Sequence, residues 1–228
     1  GAGCRVSAPV LRLLQQAPAP RFAVEAAGIR REYEGRLEFR AREGELVLLC
    51  LVGLEPYVAS VMFGEVPSLS GRKNIPEALK AQAVAIRSYT LYYMEPARTR
   101  HPGEDHDFCD LTHCQVYRGV VPAGYEVIRR AVMATRGLVL RHRGLLVPGF
   151  YSSTCGGRTV SPGEVWGDST LDRAFPGRVH LLAGKAPCRS SEHFTWQFSI
   201  ARQVFRDFFT VSCFPLLSES ALVLVKGS

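Results

Sequence analysis

Between residues 6 and 54 short apolar runs alternate with polar positions. "PVLRLL", "RFAVEAA", "GRLEFRA" and "GELVLLCLV" are separated by glycine, proline and charged turns, which predicts four strands and an N-terminal β-rich portion over residues 1–50. After Leu54 the period lengthens. "LEPYVASVMFG" sets Leu54, Val58, Val61 and Met62 on one helical face, with Pro56 in the first turn. "NIPEALKAQAVAIRSYTLYYM" predicts a second, buried helix, with Asn74 as N-cap and Glu77 at capping-box spacing. Its alanines would let a neighbouring backbone approach closely, and Pro96 marks its latest end. A polar loop follows, then a helix at "GYEVIRRAVMATRG" and strands at "LVLRHRG" and "LLVPGFYSS". A strand near Trp196 and a helix at "ARQVFRDFF" close the pattern. Strands and helices do not alternate as regular βαβ units, so the fold class is α+β. The β-rich portion is expected to pack on a mixed helix/strand core over residues 51–228, as one elongated domain or two closely packed subdomains.

Composition narrows the class. With 46% hydrophobic and 21% charged residues among 228, the chain is globular rather than disordered. No apolar run approaches the roughly 18 to 20 residues that span a bilayer. A formal charge of +7 favours an acidic partner or a solvated basic surface. The basic residues are scattered, with pairs only at Arg30-Arg31 and Arg129-Arg130, and no aromatic–basic module accompanies them. Nucleic acid is therefore not the expected partner. Seven cysteines, an odd number, point to an oxidising compartment, a metal site or both. The opening "GAGC" lacks an apolar leader but resembles the end of a lipoprotein cleavage box, with Cys4 as the acylated residue. The expected location is extracytoplasmic, with any signal or anchor lying outside this sequence.

Two stretches carry chemistry. In "VASVMFGEVP", Glu65 follows Leu54, Val58 and Val61 by 11, 7 and 4 positions, so it continues the helix's own apolar stripe. A carboxyl there either turns outward as the helix frays or works as an acid. Apolar walls from Val61, Met62 and Phe63, with the negative pole of a helix C-terminus, oppose ionisation at such a position. "DHDFCDLTHC" brings His106, Cys109, His113 and Cys114 within nine residues, a spacing that fits a tetrahedral zinc site.

The segments "LEPYVASVMFGEVPS", "PEALKAQAVAIRSY", "FCDLTHCQVYRG", "AVMATRGLVL" and "FYSSTCGGRT…EVWG" together resemble the stage II sporulation protein D family, also called the SpoIID/LytB domain, over roughly Val6 to Phe209. The resemblance implies a lytic transglycosylase of peptidoglycan. It would cleave the bond between N-acetylmuramic acid and N-acetylglucosamine without water and leave a 1,6-anhydro end. The implied substrate is glycan denuded of stem peptides by a cell-wall amidase. Glu65 matches the family's catalytic acid, although Val66 and "SLSGRKN" depart from the usual Met and Trp-Pro. Gln82, Gln115, Tyr117, Ser152 and Ser153, with Thr154, are the expected substrate-binding residues, because neutral hydrogen-bonders suit an oxocarbenium-like transition state, and Arg87, a polar residue on the alanine-rich helix, is expected beside them. Asp110 and Glu164 are the candidates for a second carboxylate, should the reaction be hydrolysis.

Some members of this family hold zinc through a Cys/His set in this region, which implies a closed, structural site in which His101 could replace His106. A Cys109–Cys114 disulfide is the alternative. Cys155 and Cys188 are the expected disulfide pair, and Cys50 and Cys213 sit in apolar text as free thiols. Gly156-Gly157 marks a tight turn or a close approach of sugar to backbone; Trp166 is a sugar platform or a core residue. Two other functions compete. One is a catalytically weak glycan-binding enhancer of a cell-wall amidase. The other is a zinc hydrolase, disfavoured because no H-E-x-x-H helix is present.

Overall fold

The computed structural model describes residues 10–13, 21–26, 28–42, 44–66, 75–197, 199–204 and 226–227. The fold is α+β, as expected, in two compact units, Gly1–Tyr151 and Ser152–Ser228. The sequence-based boundary at residue 50 falls inside the first unit. Cys4, Asn74, Cys213 and most of "ARQVFRDFF" lie outside the described residues.

In the first unit, β1 (Val10–Leu13), β4 (Arg36–Arg42) and β5 (Glu45–Leu51) form an antiparallel sheet with β4 in the middle. Leu37, the fully buried residue of β4, pairs with Leu13 and Cys50. β2 (Arg21–Ala26) and β3 (Ile29–Glu34) form a separate hairpin in which Phe22 faces Tyr33. β3 is a strand that the pattern did not predict.

Three helices build the core: α1 (Leu54–Glu65), α2 (Pro76–Tyr93) and α3 (Glu126–Ala134). Val58, Val61 and Met62 of α1 meet Leu79, Ala83 and Ile86 of α2 and Ile128, Ala131 and Val132 of α3. Each such large side chain, fully buried, contributes roughly 1.5–3 kcal/mol. All five residues from Val58 to Met62 are buried, so α1 is enclosed on more than its expected stripe. α2 starts with Pro76 in its first turn, and the position before it, Ile75, makes no side-chain cap. Glu77 instead pairs with Lys80 at 2.7 Å.

Arg87, expected to bind substrate, is instead a structural residue of this core. It is fully buried, and its Nε and Nη2 donate to the two carboxylate oxygens of Glu55 at 3.1 and 2.6 Å. Its remaining donors reach the carbonyls of Leu138 (3.1 Å), Val132 (3.2 Å) and Ala83 (3.5 Å). One guanidinium thus ties α1, α2 and α3 together, with no donor left for a ligand.

The strands expected at 138–144 and 145–153 shrink to a two-residue hairpin, β6 (Arg141–His142) with β7 (Leu145–Leu146). Its turn residues Arg143 and Gly144 adopt left-handed φ of 51° and 82°. Beyond it Pro148 has no N–H to offer, and Gly149 lies against α2: a Cβ at Gly149 would stand 2.3 Å from the Ala85 carbonyl oxygen. This is the close backbone approach that the alanines of α2 were expected to allow.

The second unit has little regular structure. β8 (Arg158–Thr159) pairs with β9 (Arg178–Val179), and β10 (Trp196–Gln197) with β11 (Lys226–Gly227). α4 (Pro162–Trp166) carries a full capping box between Ser161 and Glu164 and ends on left-handed Gly167. Trp166 there is exposed, so it is not a core residue.

Candidate active site

Glu65 is the last residue of α1 and is half-buried. Gly64 before it lets the segment of residues 115–120 lie directly on the helix; a Cβ at Gly64 would stand 2.1 Å from the Val116 carbonyl oxygen. Alternate N–H groups of that segment are then spoken for. Val116 donates to Glu65 Oε1 at 2.9 Å, Arg118 to the Ser60 hydroxyl at 2.9 Å, and Val120 to the Glu32 carbonyl of β3 at 2.7 Å. The unpredicted strand therefore serves the site, because it anchors the far end of the segment that grips Glu65.

A chain of neutral groups runs up beside the same carboxylate. Thr90 donates to Gln115 Oε1 at 3.0 Å, and Gln115 Nε2 donates to the Tyr151 hydroxyl at 3.2 Å. Tyr151 in turn lies close enough to Glu65 to feel its charge. Burial, then the neighbouring Glu65 charge, pushes the Tyr151 hydroxyl well above the ordinary tyrosine range, so it keeps its proton and can donate it. Tyr57 adds a long contact to Gln115 at 3.4 Å and stacks on Tyr117 with ring centroids 5.5 Å apart. Burial raises both of these hydroxyls too.

The expected site residues therefore separate. Gln115, 1% exposed, is committed to Thr90 and Tyr151, so it positions the carboxylate's partner. Tyr117 is a buried core residue. Gln82 Nε2 is buried with no hydrogen-bond partner among the described residues. Ser152 and Ser153 are exposed at the start of the second unit, and Thr154 bonds Ser191 at 2.8 Å there. Neither candidate second carboxylate is paired with Glu65. Asp110 bonds Arg31 at 3.0 Å, and Glu164 caps α4 while pairing with Arg158 at 3.2 Å. Tyr151 and Thr90 were not foreseen from the sequence.

Upstream of Gln115 the loop gathers four ligand atoms within 4.8 Å of one another, from His101, Cys109, His113 and Cys114. His101 takes the place expected for His106. The reason is a turn at Pro102-Gly103, with Gly103 at φ +79° and a Glu104 N–H to His101 carbonyl bond of 3.2 Å, which folds His101 back onto the thiols. His106 sits beside Glu104 and Asp105, 3.6 Å from each. The nitrogen–sulfur separations are 3.2 Å (His101–Cys114), 3.5 Å (His113–Cys114) and 3.8 Å (His113–Cys109). Bonds of about 2.3 Å to sulfur and about 2.05 Å to nitrogen give tetrahedral edges of about 3.6 Å, so the donor set fits zinc. His101 Nδ1 also contacts Glu104 Oε1 at 3.1 Å, the outer carboxylate that orients a metal-bound imidazole. Burial opposes ionisation of Cys109, but the Leu111 N–H and both histidines outweigh it and bring the thiol down to about 6. Burial pushes its neighbour Cys114 up to about 11.

In the second unit the sulfurs of Cys155 and Cys188 stand 3.6 Å apart as free thiols, and His180 Nδ1 lies 3.6 Å from Cys155. Burial opposes ionisation of Cys188, but its contacts with Cys155 and the Gly157 N–H outweigh it and lower the thiol. Cys50 is a partly buried free thiol, raised by burial.

Residues 42–142 match the stage II sporulation protein family. The chain carries a SpoIID domain. The domain spans Glu65, Gln115 and all four ligand residues; Tyr151 and the second unit lie beyond the matched residues. An uncharacterised protein of Brachyspira hyodysenteriae is 32% identical over 136 residues, 60% of this chain and 35% of that protein. A Bacillus subtilis protein named "Amidase enhancer" is 39% identical over 93 residues, 41% of this chain and 12% of that protein. The chain thus spans about a third and about an eighth of the lengths of these two relatives. No helix among the described residues is long and apolar enough to cross a membrane.

Proposed function

We propose that this chain acts at the bacterial cell wall as a lytic transglycosylase of amidase-denuded peptidoglycan strands, with Glu65 as its single acid/base. The observation that carries this reading is the hold on Glu65. Its carboxylate is held by the Val116 N–H with the protonated Tyr151 beside it, while both candidate second carboxylates are committed elsewhere, Asp110 to Arg31 and Glu164 to Ser161 and Arg158. Hydrolysis by a carboxylate pair needs two such groups; internal transfer needs one.

Glu65 gives its proton to the leaving oxygen of N-acetylglucosamine as the bond from muramic C1 breaks. The muramic C6 oxygen then bonds to C1, and its hydroxyl proton passes to the Glu65 carboxylate. The proton inventory closes and no water enters. Tyr151 steadies the carboxylate form, and Gln115 orients Tyr151. Gln82, Ser152 and Ser153 are kept as substrate contacts in this reading, and location is extracytoplasmic. His101, Cys109, His113 and Cys114 would hold a zinc ion that supplies rigidity. Since Cys114 precedes Gln115, fixing it fixes the segment whose Val116 N–H grips Glu65.

The name of the Bacillus relative favours a second reading, a glycan-binding enhancer of an amidase. Mass spectrometry of amidase-stripped strands after incubation separates the two. Products with 1,6-anhydro ends support the transglycosylase; reducing ends formed with water would make it a hydrolase. Intact strands retained on the protein would favour the enhancer. Chelation adds a check on the metal: a structural zinc is lost together with thermal stability, a catalytic one with activity first.

A further inference from the structure

The second unit holds a cavity of about 440 Å³ that neither Glu65 nor the ligand cluster uses. It lies within the usual range of small-molecule sites, about 300–1,000 Å³. Its walls follow from local backbone chemistry. Ala183 and Gly184, at φ 49° and 75°, make a two-residue turn closed by reciprocal Leu182–Lys185 bonds of 2.8 and 3.1 Å, which sets Lys185 on the rim. A 3-10 turn, Pro187–Ser190, places Arg189 one turn further on. Opposite, Gly156 and Gly157 take positive φ, and a Cβ at Gly157 would stand 3.2 Å from the Ala186 side chain. The glycine pair is thus a tight turn in which Gly157 also packs closely on Ala186.

The cavity's charge is one-sided. Arg158, Lys185 and Arg189 line it, and no aspartate or glutamate does. Arg158 is neutralised by Glu164, whereas Lys185 and Arg189 have no carboxylate within ion-pair distance among the described residues. Leu181 and Phe194 supply an apolar wall beside them. Two unpaired cations next to an aromatic face fit a ring that carries a carboxylate on a short arm.

We propose that this cavity binds the lactyl-bearing muramoyl residue of a denuded strand, with Lys185 and Arg189 reading the free carboxylate. The inference rests on the function proposed above and adds a reason for substrate choice. While a stem peptide is attached, the lactyl carbonyl is a neutral amide; amidase cleavage turns it into an anion at neutral pH. The pocket would therefore detect that the preceding reaction, amide hydrolysis at this position, has occurred.

The test uses the full chain, amidase-stripped strands, and the same strands with their lactyl carboxylates capped as methylamides. Wild-type protein is expected to bind free-acid strands about tenfold tighter than capped ones. Lys185→Gln/Arg189→Gln should bind both alike, with KM raised about tenfold and kcat nearly unchanged. Lys185→Arg/Arg189→Lys should restore the preference. Both side chains are exposed, so folding is not at stake. If the double glutamine variant keeps the wild-type preference, the cavity is not the reader, although the proposed function stands. Should wild type neither bind nor cleave stripped strands, the proposed function falls and this inference with it.

Discussion

The two units handle polar groups in opposite ways. In the first, polar groups are bonded to other parts of the protein: three alternate backbone N–H groups and a glutamine committed at both ends beside Glu65, and, in the core, an arginine with five bonds. In the second, cations line an open cavity and two thiols stand near each other unbonded. Inward-facing bonds hold a reacting group still; outward-facing charge meets a ligand. The cysteine–histidine sets repeat the contrast. Four ligand atoms converge around Cys109 and Cys114, which suits a metal, whereas Cys155 and Cys188 face each other at 3.6 Å outside any such ligand set among the described residues, which suits a disulfide.

The sharpest way to break this contrast is at Arg87. Glu55→Ala leaves that guanidinium buried and unpaired, so urea denaturation should report a loss of about 3–5 kcal/mol. A loss no larger than that of a surface variant would mean that the first unit is not locked as described. Tyr151→Phe removes the hydroxyl that faces the Glu65 charge, expected to be worth about 1.5–3 kcal/mol and therefore roughly tenfold to a hundredfold in kcat. Circular dichroism should stay unchanged; an unaltered kcat would exclude Tyr151 from the site.

Alkylation sharpens the comparison of thiols. In metal-free protein Cys109 should react with iodoacetamide in a step that rises through pH about 6, because its folded-state thiol is lowered from the ordinary 9.0. Cys114 should need pH near 11. Under oxidising conditions peptide mapping should find Cys155 bridged to Cys188. The smallest effect belongs to the second unit's surface: Arg158→Ala breaks an exposed pair with Glu164 and should leave the urea midpoint nearly unchanged.

How much of this was legible in the sequence depended on the range of the interaction. The helices at 54–65, 76–93 and 126–134 carried their own periodicity, and Glu65 could be placed on its stripe from spacing alone. β3 was hidden because "IRREYE" is mostly charged, and its alternation appears only once its partner strand is known. Tyr151 lies far along the chain from Glu65, so no local pattern could join them. His106 looked nearer to the thiols than His101, but the turn at Gly103 reverses that order in space. Arg87 looked like a glycan ligand because an arginine among alanines suggests function; the carboxylate that buries with it sits on another helix.

The central claim is that Glu65 alone transfers the proton in both directions. Its most direct test compares wild type with Glu65→Gln on amidase-stripped strands, with products read by mass spectrometry and strand binding measured in parallel. The account predicts 1,6-anhydro products from wild type, a loss of rate of about a hundredfold to ten-thousandfold in the variant, and binding retained in both. Undiminished anhydro products from Glu65→Gln would contradict it.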